Sequence, residues 1–149
     1  MNRWIIYLDN CCYNRPYDDQ TSESIRLESE AKLFIQDCIK RNIFDLAWSF
    51  ILDFENSANP FDERRDSIGE WKALAKIFIP AEDKIKILAQ RFEKELAIKP
   101  KDALHLSCAI YKKCDYFLTT DKDLIKKAKS IPEIPVINPI DFVIKWEEK

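Results

Sequence analysis

The sequence predicts an α/β fold in three layers: a central parallel sheet of four to five strands with helices on both faces. Short, largely apolar runs recur at Trp4–Leu8, Phe44–Trp48, Tyr116–Leu118 and Ile134–Ile137, the pattern of strands buried on both sides. Between them lie longer stretches whose apolar residues fall three and four apart, the spacing of amphipathic helices. The 149 residues, 46% of them hydrophobic, suit a single compact domain over residues 1–149 with a sizeable core.

Taken in order, Trp4–Leu8 is a central strand that Asp9-Asn10 stops. Cys11 to Thr21 is polar, holds Arg15-Pro16, and reads as a loop. Ser22 or Ser24 then opens a helix with Leu27, Ala31, Phe34, Ile35 and Cys38 on one face. After the second strand, Ser49 is placed to cap a short helix that turns Phe50, Ile51, Phe54 and Ala58 inward. Asn59-Pro60 restarts a helix whose stripe is Ile68, Trp71, Leu74, Ala75 and Phe78, with Ile77–Ile79 able to leave it as a strand. Glu82–Leu96 is a further helix, using Ile85, Leu88, Ala89, Phe92 and Leu96. Pro100 suits the first position of the next, where its missing N–H costs nothing, and Ala103, Leu106, Ala109 and Ile110 give that helix its apolar face. A helix through Leu124 and Ala128, a last strand and a terminal helix with Ile140, Val143, Ile144 and Trp146 complete the chain.

Composition removes several classes of function. A single glycine, Gly69, excludes the glycine-rich phosphate loops, which need several so that backbone can approach a phosphate. The net charge of −2, despite 34% charged residues, supplies no global basic field for nucleic acid. Such a partner must be held by a local patch or through metal ions. Five cysteines (Cys11, Cys12, Cys38, Cys108, Cys114) form no C-x-x-C pair, which fits small buried thiols in a reducing cytosol. The apolar run at Trp4–Leu8 is too short for a signal-peptide core, and no stretch is long enough to span a bilayer. A cytoplasmic protein with no membrane partner is expected.

The stretch Lys99–Asp121 organises the rest. It is a helix opening on Asp102, followed by a strand that closes on Thr119-Thr120-Asp121. In parallel sheets ligands bind beyond the carboxyl ends of the strands, so the acids there carry the most weight. Asp9 follows the first strand, Glu55 lies in the helix after the second, and Asp121 and Asp123 follow Leu118. Each has a structural explanation: a turn for Asp9, a solvated face for Glu55, dipole complementation for Asp102 and an N-cap for Asp121. Together those explanations weaken. Two carboxylates ~5 Å apart repel by roughly 3 kcal/mol at an effective dielectric of ~20, so a cluster calls for a divalent cation. Carboxylate and water ligands select Mg²⁺ or Mn²⁺ over zinc, and such ions usually serve phosphoryl chemistry.

Tyr7-Leu8-Asp9-Asn10, Glu55, Lys101-Asp102-Ala103-Leu104-His105-Leu106 and Leu118-Thr119-Thr120-Asp121-Lys122-Asp123-Leu124 resemble, in order and spacing, the PIN-domain nucleases, and among them the VapC-type toxins of toxin–antitoxin pairs. The resemblance covers nearly the whole chain. It implies a PIN-like fold and a Mg²⁺- or Mn²⁺-dependent endoribonuclease that cleaves single-stranded RNA by metal-activated water. It also implies an antitoxin as protein partner and a homodimer. Carried over residue by residue, Asp9, Glu55, Asp102 and Asp121 form the catalytic and metal-holding quartet, with Asp123 a further ligand or the alternative fourth. Thr120 and Asn10 then stand behind the ligands, Thr120 holding a carboxylate or a water.

The chain departs from the family at Asn10-Cys11-Cys12, where a small hydroxyl residue often follows the first Asp, and in a longer, more polar segment at Tyr13–Asp19. Arg15, Lys99, Lys101 and Lys122 flank the expected site and are either surface charges or attractors of RNA phosphate. His105, the only histidine, reads as a structural helix residue rather than a general base. Asp53 lies on a different helix face from Glu55, Asp18-Asp19 read as loop charges, and Cys11 and Cys12 as packing residues. Phe61, Trp71 and Phe92 sit on helical stripes and read as core or dimer contacts, or as a seat for an antitoxin helix. Two rivals keep the fold: a PIN nuclease of RNA processing or decay, and a metal-free RNA- or protein-binding PIN scaffold. A haloacid-dehalogenase-like phosphatase is disfavoured, because Asn10-Cys11 after Asp9 breaks its D-x-D.

Overall fold

A computed structural model describes residues 3–148. Strands β1 (Ile5–Leu8), β2 (Asp45–Ser49), β3 (Ile77–Ile79), β4 (Tyr116–Leu118) and β5 (Val136–Ile137) form one sheet in the order β3-β2-β1-β4-β5. Every neighbouring pair is parallel. The helices are α1 (Asn10–Asn14), α2 (Glu23–Lys40), α3 (Phe50–Ser57), α4 (Asp62–Leu74), α5 (Asp83–Leu96), α6 (Pro100–Tyr111), α7 (Lys122–Lys127) and α8 (Pro139–Glu147). This is the α/β architecture the alternating pattern predicts, with five strands.

Strand alternation divides the two faces. Trp4, Phe44 and Tyr116 point to one side, where all three rings pack on or around Phe142 of α8. Tyr7 points to the other, stacked on Phe117 and edge-on to His105 of α6. A helix pair covers each face, α2 with α8 and α5 with α6. The core between them includes Ile6, Leu8, Leu46, Trp48, Leu106 and Phe117, all within 1% of complete burial.

The chain runs outward from β1 to β3, then returns to place β4 on the free side of β1. That reversal opens a crevice beyond the carboxyl ends of β1 and β4, where such sheets receive ligands. The register sets Leu8 beside Leu118, so the residues that follow them, Asp9 and Thr119, face each other across it.

Several local expectations are corrected. Cys11–Thr21 is not simply a loop. Asp9 caps α1 by accepting from the Asn10 N–H at 2.8 Å, and a 3-10 turn, Arg15–Tyr17, follows. Phe54 is 60% exposed, because the eight-residue α3 buries Ile51 and Leu52 instead. Phe61, 56% exposed, is the extended residue before α4 and not on its stripe; Trp71 and Phe92 are buried. Leu27 and Ile144 are also exposed, and Phe78 sits half-exposed on the edge strand β3. No described helix is long and apolar enough to cross a membrane.

Candidate active site

Asp9 lies at the floor of the crevice and is buried. Its Oδ2 accepts from the Thr119 hydroxyl at 2.8 Å and from the Cys11 thiol at 3.5 Å, and its backbone N–H donates to the Leu118 carbonyl at 2.9 Å. The hydroxyl that holds this carboxylate belongs to Thr119, not to Thr120, the neighbour expected in that place. Thr120 instead donates its backbone N–H to the Cys11 sulfur at 3.4 Å. Parallel pairing carries the signal: once Leu8 and Leu118 are set side by side, Thr119 is the residue opposite Asp9.

Glu55 reaches the crevice from α3, whose start is fixed by the Ser49 hydroxyl accepting from the Leu52 N–H at 3.3 Å. Glu55 pairs with His105 Nε2, which also stands 3.8 Å from Asp9 Oδ1. The other ring nitrogen, Nδ1, bonds the Tyr7 hydroxyl at 2.6 Å, and that hydroxyl bonds Ser49 Oγ at 2.6 Å. A buried chain therefore runs from Ser49 through Tyr7 and His105 to Glu55. Burial works to lower the His105 pKa, but the Glu55 hydrogen bond and the charges of Asp9, Glu55 and Asp102 outweigh it and raise the pKa. Both ring nitrogens are engaged, Nε2 by Glu55 and Nδ1 by the Tyr7 hydroxyl. Sequence reasoning missed this role; the signal available was the placement of His105 one turn after Asp102.

Asp102 enters from the first turn of α6. Burial, reinforced by the charges of Asp9 and Asp121 and opposed by His105 and Lys99, raises its carboxyl to about 6. Asp121 caps α7, its Oδ1 accepting from the N–H groups of Asp123 and Leu124 at 3.0 and 3.2 Å. Asp123 is exposed and pairs with Lys127 at 3.0 Å.

The four acids Asp9, Glu55, Asp102 and Asp121 line one cleft of about 360 Å³, with Asn10, Cys11, Asn14 and Asp18 completing the wall. A second lobe, of about 550 Å³, shares Glu55, Asp102 and Asp121 and is walled by Lys99, Pro100 and Lys101. Asp18 thus lines the cleft, a placement a loop charge does not anticipate. Arg15 is held in ion pairs with Asp18 and Glu28 at 3.0 and 3.1 Å, and Lys122 is exposed at the start of α7. Asp53 points elsewhere, accepting from Trp48 Nε1 at 2.7 Å and pairing with Lys72 at 3.0 Å.

Among the described residues no group of three His, Cys, Asp or Glu side chains forms a ready-made ligand set for one ion. The donor chemistry nonetheless fits a hard divalent cation, because four carboxylates share one open cleft. The charges of Asp9 and Asp121 add to burial in raising the Asp102 carboxyl, against the opposing pull of His105 and Lys99.

The family model of the PIN domain matches residues 47–130, more than half of the chain. The chain belongs to the PIN-domain family. No curated protein matches the sequence. Among solved structures, this PIN domain is similar to FitAcB from Neisseria gonorrhoeae, with 16% identity and a TM-score of 0.61 over 90% of this chain and 97% of that one. It is also similar to VapBC2 from Rickettsia felis bound to a DNA fragment from their promoter. There the identity is 20% and the TM-score 0.56, over 90% of this chain and 98% of that one. A FitAB structure bound to the IR36 DNA fragment gives 15% identity and a TM-score of 0.62, over 91% of this chain and 95% of that one. At these identities the likeness shows the shared fold.

Proposed function

We propose that this PIN domain is a Mg²⁺- or Mn²⁺-dependent endoribonuclease acting on single-stranded RNA, and that it is the toxin of a toxin–antitoxin pair. The observation that carries the reading is the meeting of Asp9, Glu55, Asp102 and Asp121 in one cleft at the β1–β4 crevice. Family membership supports nuclease chemistry. The fold shared with FitAcB and VapBC2, together with the VapC-like motifs, supports the toxin role.

In this reading Asp9, Glu55, Asp102 and Asp121 hold the cation, and Asp123 stands outside the cleft. When bound, the ion supplies charge to activate water and to steady the departing oxygen of the phosphodiester. The chain's own residues do the rest. Thr119 and the Asn10 N–H fix both oxygens of Asp9. His105, braced by Tyr7, keeps Glu55 turned into the cleft. Lys99 and Lys101 set positive charge on one wall, where an RNA phosphate must pass a ring of acids. Arg15 and Lys122 are peripheral in comparison. The protein partners of this reading are an antitoxin and a second copy of the chain as a homodimer.

The test is cleavage of a single-stranded RNA by the purified chain. Asp102→Asn should abolish cutting while circular dichroism stays unchanged, EDTA should stop the reaction, and Mn²⁺ should restore it. Cutting by Asp102→Asn at the wild-type rate, or cutting that survives EDTA, would refute the metal site. The open reading frame beside this gene decides the toxin role, through co-expression and co-purification of its product.

A further inference from the structure

We infer that Tyr17, Arg64 and Phe61 form a seat for an unpaired base of the RNA, beside the acidic cleft; this rests on the nuclease reading above. The Arg64 guanidinium lies over both rings, 4.7 Å from the Tyr17 centroid and 4.4 Å from that of Phe61. The rings themselves remain 43% and 56% exposed. An arginine spanning two rings holds them in place without covering them, since each contact is worth about 0.5–1 kcal/mol at an exposed site. The Arg64 Nε is buried and has no hydrogen-bond partner among the described residues. That donor is unused by the fold.

The stack is tied to the cleft by short connections. Tyr17 immediately precedes Asp18, a wall residue. Phe61 donates its backbone N–H to Asn59 Oδ1 at 3.1 Å, and Asn59 Nδ2 donates to Asn14, another wall residue, at 3.4 Å. The lobe at the α6 end carries a second aromatic–cation pair, Phe54 beneath Lys101 at 5.8 Å. An exposed ring paired with a cation thus adjoins wall residues of both lobes, Tyr17 next to Asp18 and Phe54 next to Glu55.

That composition favours nucleic acid over an apolar peptide. Bases stack on aromatic faces whatever their sequence, and adjacent cations take the backbone phosphates. A duplex hides its base faces, so the seat selects for single strands.

The experiment measures fluorescence anisotropy of a labelled short single-stranded RNA on the full chain carrying Asp102→Asn, with Mg²⁺ present. Adding Tyr17→Ala and Phe61→Ala should weaken binding by about tenfold or more, whereas Phe61→Trp should leave it intact. An RNA of the same length with abasic riboses should bind the protein with both rings as weakly as the normal RNA binds the alanine pair. The proposal is overturned if the alanine pair binds within about twofold of its parent, or if alanine substitution costs abasic and normal RNA equally. It is also overturned if the pair leaves RNA binding unchanged but abolishes capture of the neighbouring gene's protein, which would make the surface a protein interface. Cleavage by the chain without these substitutions separates the two readings. If that chain cuts RNA and the alanine pair still binds normally, only the base seat fails. If it neither binds nor cuts RNA, the nuclease reading fails and takes the seat with it.

Discussion

Burial and the charges of Asp9 and Asp121 hold the Asp102 carboxyl at about 6, and this has a measurable cost in the metal-free chain. An acid whose pKa is higher folded than unfolded binds its proton more tightly in the folded state. Stability from this group is therefore present below about pH 4 and lost as pH rises to about 6. The side chain is only about half buried, so solvent screening reduces the loss to about 1 kcal/mol. In EDTA, Asp102→Asn should be more stable than the parent by that amount at pH 7 and equal to it near pH 4, as read from urea midpoints. A difference that is the same at both pH values would remove the repulsion argument. Thr119 shows the same economy at the neighbouring acid, where one hydroxyl fixes Asp9 while closing the gap between two strands.

Helix ends expose what a chain with a single glycine must tolerate. Helix α5 closes at Ala97 with φ of 55°, and Asn42 and Lys113 also adopt the left-handed region that glycine usually supplies. Ala97→Gly should raise stability by about 0.5–1 kcal/mol, because the Lys127 contact to the Ala97 carbonyl uses backbone and survives. Urea denaturation checks it, and a decrease would mean that the Ala97 methyl packs more than the φ costs. Much of the element pattern was legible in the sequence, because buried parallel strands are nearly pure apolar runs and Ser49 and Pro100 mark helix starts. Asp9 and Asp121 were legible for the same reason, as they follow runs that stop, whereas Glu55 and Asp102 lie within helices and were read from the motifs around them. The first turn after β1 was not, because Asn10–Tyr17 lacks the apolar periodicity of a long helix and is ordered by the Asp9 cap. Nor were the outward faces of Phe54 and Phe61, since an aromatic at helical spacing reads as core unless the helix is known to be short or to begin later.

At the scale of the whole molecule, the cleft gathers four carboxylates against His105 and the wall lysines, and binding of a cation there should be felt globally. Under the proposed metal site, Mn²⁺ at about a hundred times its Kd adds about 2.7 kcal/mol, or a rise in Tm of roughly 5–10 °C for a chain of this size. Differential scanning calorimetry should show that rise for the parent and lose most of it for Asp102→Asn. An equal rise in both would place the ion elsewhere. The strand order adds a constraint in time. Because β4 lies directly against β1, Asp9 waits through most of synthesis for its Thr119 neighbour, with β2 and β3 already made. Until Asp121 has emerged from the ribosome the cleft lacks one of its four acids, and under the proposed nuclease reading a half-made chain has no blade to cut with.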